Sequence, residues 1–138
     1  MTEAELDEIE RLAAAAGPGE GLRASLDPEV RGYAVAAFVA HARDDVLRLV
    51  AAIRRSERVP DAELDAIVAR VEAAGPLPWD VFLESGGGHA GSNLIWVGGA
   101  VDGEPDLYLW RGDDLAPDED WTFIAAARAD IPRLVGAL

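Results

Sequence analysis

The sequence predicts an α+β fold, and three observations carry that expectation. Apolar residues recur at helical spacing in four stretches. Bulky residues and glycine-rich breaks alternate between residues 79 and 111. Two blocks of residues also occur twice in the same order. Together they predict an internally duplicated helical scaffold with a three-stranded antiparallel sheet inserted in the second half.

The repeated blocks define the organisation. Glu3-Ala4-Glu5-Leu6-Asp7-Glu8-Ile9 aligns with Asp61-Ala62-Glu63-Leu64-Asp65-Ala66-Ile67, and Ala15-Ala16-Gly17-Pro18 with Ala73-Ala74-Gly75-Pro76. Phe38-Val39-Ala40-His41-Ala42-Arg43-Asp44-Asp45-Val46-Leu47-Arg48-Leu49-Val50 matches Phe123-Ile124-Ala125-Ala126-Ala127-Arg128-Ala129-Asp130-Ile131-Pro132-Arg133-Leu134-Val135. The 138 residues are expected to form a single compact domain. Residues 1–58 are its helical first repeat. Residues 59–138 are its second repeat, with the β insertion at about 79–111. The helices of the two halves are expected to pack about a pseudo-twofold relation.

Each half opens with a helix. Thr2 and Glu5 have capping-box spacing, and Leu6, Ile9, Leu12 and Ala13 form an apolar stripe. Gly17-Pro18 is expected to end it, the glycine taking a left-handed cap. Asp61 is the expected N-cap of the second copy, which Gly75-Pro76 stops. A long helix is expected to start at Asp27-Pro28-Glu29 and run to about Arg55. Its copy carries Pro132 where the first has Leu47. A break is therefore expected near Ala129, with Asp130 capping a short final helix to about Gly136.

The insertion reads as strands at 79–83, 93–97 and 107–110. A loop, Ser85 to Ser92, joins the first two, and the Asp102-Gly103 pair suits a tight turn. In the first half the corresponding segment, Gly19 to Ala37, reads as mostly helical and without a sheet.

Composition narrows the function classes. Twelve basic residues, all arginine, face twenty-six acidic ones, a formal net charge of −14. Such a field repels nucleic acid and anionic membranes, so neither is an expected direct partner. A protein partner, basic in character, is the expectation. Without cysteine, neither disulfides nor thiolate zinc sites are available. No apolar run approaches the roughly 20 residues of a membrane span, and the acidic start lacks signal-peptide character. A cytoplasmic setting follows as an expectation, and arginine without lysine beside abundant alanine suggests an actinobacterial, GC-rich source.

The string Ala74-Gly75-Pro76-Leu77-Pro78-Trp79, and later Trp121-Thr122-Phe123-Ile124-Ala125-Ala126-Ala127-Arg128-Ala129-Asp130-Ile131-Pro132-Arg133-Leu134-Val135, carries a resemblance. It is similar to small phage and actinobacterial proteins that include the Ead-like phage early proteins, with a TPGPW turn, a short sheet and FIAxARxDVPxLL. Here Ala74 replaces the threonine and Leu77 a glycine. The likeness spans about residues 61–138 and implies a phage or mobile-element setting. It implies no catalytic residue.

Candidate sites are few. Trp96, Tyr108 and Trp110, with Asp113 and Asp114, are the expected partner-binding residues, because alternate strand residues face outward beside an acidic run. Ser85, Gly87, Gly88, His89, Ser92 and Asn93 form an alternative ligand loop for a small molecule or nucleotide, although it leads into a strand rather than a helix. His89 with Glu84 is a candidate pair for a small hydrolase or transferase. The Arg43/Asp45 and Arg128/Asp130 pairs read as scaffold, and His41 as ordinary packing or a partly exposed histidine. The two histidines lack paired metal-ligand spacing, so neither a metal nor a cofactor is expected.

Overall fold

The computed structural model describes residues 1–27, 32–83, 93–98 and 106–138. Among them the chain runs α1 (Glu3–Ala15), β1 (Leu22–Asp27), α2 (Gly32–Arg55), α3 (Asp61–Ala73), β2 (Trp79–Phe82), β3 (Leu94–Val97), β4 (Asp106–Arg111), β5 (Asp114–Leu115) and α4 (Asp118–Gly136). This is an α+β fold, with one antiparallel sheet ordered β1-β4-β3-β2 and β5 paired to β4.

Thr2 caps α1 as its spacing requires. Its hydroxyl accepts the Glu5 N–H at 3.1 Å, and its own N–H donates to Glu5 Oε2 at 2.7 Å. Leu6, Ile9 and Ala13 are the buried stripe. Gly17 does not take the left-handed conformation expected of it; Ala16 ends the helix in an extended conformation. Residue 17 lies close to the Arg111 side chain: a Cβ there would stand 2.6 Å from Nη2, so the guanidinium would have to shift.

The expected three-stranded sheet is wrong in extent, because the first half supplies a strand of its own. Leu22-Arg23-Ala24-Ser25-Leu26-Asp27 alternates apolar and polar residues and pairs with β4 along its whole length, from Leu22↔Arg111 to Asp27↔Asp106. Asp27 is the last residue of β1, while Pro28 and Glu29, the rest of the expected helix start, lie outside the described residues. Helix α2 ends at Arg55 as expected, with Ser56 in the left-handed region. Pro60, not Asp61, occupies the cap of α3, and Asp61 is the first helical residue.

Pro132 does not break α4, and Asp130 caps nothing; the helix continues from Asp118 to Gly136. Proline lacks the N–H that the Arg128 carbonyl would accept. Ile131 and Leu134 on either side are wholly buried and hold the helix in place. Pro132 itself faces solvent.

All four helices lie on one side of the sheet. Helix α2 rests on β1 and α4 on β2 and β3, while α1 and α3 each pack against both α2 and α4. The core between the layers contains Phe38, Leu49, Ile95, Leu107, Leu109 and Trp121. Each such side chain contributes roughly 1.5–3 kcal/mol by burial.

Two arginines at matching places in the repeated blocks make matching bonds. Arg43 Nε donates to the Ala13 carbonyl at 2.9 Å, and Arg128 Nε to the Gly75 carbonyl at 2.9 Å. Each cation thereby meets the negative C-terminal end of the helix that opens its half.

Candidate functional site

The pleat sorts the aromatic residues into two populations. Residues of β4 alternate, with Leu107 and Leu109 buried against the helices and Tyr108 and Trp110 half-buried on the opposite face. In β2 and β3, Trp79, Val81, Ile95 and Val97 join the helix side. Trp79 meets Phe38 edge-on, with ring centroids 5.4 Å apart. Asp80 and Phe82, the intervening residues of β2, therefore share the outer face with Trp96. Phe82 and Trp96 touch, with ring centroids 4.3 Å apart.

Register then brings carboxylates to the tryptophan. Asp80 pairs with Trp96, and Trp96 pairs in turn with Asp106. Directly opposed residues hold their Cβ atoms about 4.5–5.5 Å apart, so Trp96 has an acidic side chain on each side in one cross-strand row. Asp80 is exposed and Asp106 half-buried. Farther along the face, the Arg23 guanidinium stands 5.8 Å from the Trp110 ring centroid, and Trp110 Nε1 donates to Ser25 Oγ at 3.0 Å.

Of the expected partner-binding residues, Trp96, Tyr108 and Trp110 share this outer face. Asp113 and Asp114 are exposed at the β4–β5 turn, where Arg111↔Asp114 closes the hairpin. Not all of the acidic run is solvated. Asp120 is buried, accepting from Arg111 Nε at 2.7 Å and from the Gly17 N–H at 2.8 Å. Asp80 and Arg23 were not singled out in the sequence. Period-two alternation around Trp79 and Ala24 is the signal that finds them.

The alternative ligand loop cannot be described as a site. Ser85, Gly87, Gly88, His89 and Ser92, with Glu84, lie outside the described residues. Asn93 is buried, and its Nδ2 donates to Asp118 Oδ1 at 2.8 Å. His41 is exposed on α2. Among the described residues, no group of three or more histidine or acidic side chains is placed to hold a metal ion.

The Arg/Asp pairs belong to the helix layer. Asp45 accepts from Arg70 Nη2 through both oxygens at 3.0 Å, although burial still pushes its carboxyl above the ordinary value. Burial also raises Asp130, against the pull of Arg133. Among the described residues, no helix is long and apolar enough to cross a membrane.

No protein-family model, curated protein or solved structure matches this chain.

Proposed function

We propose that this chain is a non-enzymatic acidic binding protein that modulates a basic partner protein through the outer face of its sheet. The carrying observation is the row Asp80–Trp96–Asp106, with the Phe82 ring tilted against the tryptophan. An indole flanked by carboxylates suits an arginine or lysine side chain, which gains from the ring face and from both acids. The net charge of −14 extends that preference to the whole encounter, since it steers cations inward and repels phosphate backbones.

A cytoplasmic setting and a phage or mobile-element context belong to the same proposal, the latter resting on the sequence resemblance. So does descent by internal duplication, which the matched Arg43 and Arg128 carbonyl bonds support.

The test starts with the tagged chain as bait in its host, at low and moderate salt. A stoichiometric basic protein that dissociates as salt rises is the expected capture. Binding of that purified partner is then measured with Trp96→Ala and with the double change Asp80→Asn, Asp106→Asn. Both variants are expected to lose at least tenfold in affinity while remaining folded, with Trp96→Ala melting only several degrees below the parent. Undiminished binding by both would rule out this face as the contact.

A further inference from the structure

A pocket of about 380 Å³ opens between α3 and α4, on the helix layer and away from the sheet's outer face. Its size lies within the roughly 300–1,000 Å³ of small-molecule sites. Val68, Val71, Ile131 and Val135 supply apolar walls. Leu77, 48% exposed, forms part of its edge and is one of the few large apolar side chains facing water among the described residues.

Arg128 and Glu72 are the charged residues of this lining. Elsewhere in this acid-rich chain, Arg48, Arg54, Arg70, Arg111 and Arg133 each lie against a carboxylate, whereas Arg43, like Arg128, bonds a helix-end carbonyl. Arg128 forms no ion pair among the described residues. Its Nε is used by the Gly75 carbonyl, which fixes the plane of the guanidinium. Burial disfavours its charged form, and Glu72, also in the lining, attracts it through space without a hydrogen bond between them. A half-buried cation without a contacting anion, at the side of an apolar pocket, is complementary to an amphiphile with a negative head.

We propose that this pocket binds a compact apolar carboxylate, such as a medium-chain acyl acid. The tail fills the space between α3 and α4, and the carboxylate meets the outer nitrogens of Arg128. The site is independent of the partner-binding face and stands whether or not that reading holds. Glu72 opposes the ligand's charge, so it limits affinity and selects against acids with a second negative group.

Octanoate, octanol and octylammonium are the probes, applied to the full chain and read by melting temperature and titration calorimetry. Octanoate is expected to raise the melting temperature in a dose-dependent way, with octanol at least about tenfold weaker. Arg128→Gln is expected to lower octanoate affinity about tenfold. Glu72→Gln, an exposed change, is expected to strengthen it about twofold or more. Val135→Trp, which fills the pocket, is expected to abolish it. Should Arg128→Gln fail to fold, the Glu72 and Val135 variants still decide. The assignment is overturned if octanoate produces no shift at millimolar concentration, or if octanol binds equally. Tighter binding of octylammonium would make Glu72 the anchor and equally overturn it. So would octanoate binding that neither the Glu72 nor the Val135 change affects.

Discussion

Arg111 and Asp120 form an ion pair that joins three elements. The guanidinium extends from the end of β4, and the carboxylate rises from the first turn of α4 and accepts Nε at 2.7 Å. The other carboxylate oxygen takes the Gly17 N–H, and Arg111 Nη2 reaches the Pro18 carbonyl at 2.8 Å. Asp120→Ala leaves a partly buried cation without its anion and the Gly17 N–H without its acceptor. We expect it to destabilise the chain by about 3 kcal/mol or more. Urea denaturation checks this, and a loss below about 1 kcal/mol would show that water substitutes freely for the carboxylate.

Two glycines should respond unequally to a methyl group. A Cβ on Gly19 would stand 2.1 Å from the Ala40 carbonyl oxygen, which is backbone of α2 and has no rotamer to yield. Gly19→Ala is expected to cost about 2–3 kcal/mol. Gly112 has φ +61 but nothing within 4 Å of the added carbon. Gly112→Ala should cost only the left-handed strain, about 1 kcal/mol. Paired thermal melts test the order.

Stability should carry a pH signature from Asp130. Burial raises its carboxyl above the ordinary 3.8, so the folded chain retains that proton where the unfolded chain has released it. This contribution is complete below 3.8 and is lost as pH rises through the folded value. Asparagine mimics the protonated form. Asp130→Asn is therefore expected to melt higher than the parent at pH 7, with the gap closing towards pH 3.5. The lost contact to Arg133, itself half-exposed, changes little. Parallel melting curves across that range would show that the carboxyl is not penalised.

The tryptophans of β2 and β3 should separate stability from binding. Trp79 is 6% exposed and packed on Phe38, so Trp79→Ala is expected to cost about 3–5 kcal/mol. Trp96 is half-buried on the other face, and its replacement by alanine should cost about 1–2 kcal/mol. Chemical denaturation of the two variants gives the comparison. Equal losses would place both rings in the core.

Local signals were legible where one element contained them. The Thr2–Glu5 capping box, the stripe of Leu6, Ile9 and Ala13, and the end of α2 at Arg55 could all be read from neighbouring residues. What escaped depends on distant partners. Leu22 to Asp27 is a modest alternating run, and it becomes a strand because β4 offers six residues to pair with. Pro132 reads locally as a helix breaker, but buried Ile131 and Leu134 override it. The outward aromatics followed from alternation alone. The acid–indole–acid row did not, because cross-strand register is set by loops whose geometry the residue types leave open.

The β1–β4 pairing also governs how the chain can be divided. Ser25 and Trp110 meet although they stand 85 positions apart in the sequence, so the sheet closes only after most of the polypeptide has been synthesised. Such separation slows folding. Expressed alone, residues 59–138 would carry β4 with one bare edge, open to pairing with another copy. The part of the sequence with the most recognisable pattern is thus the part least suited to stand as a fragment.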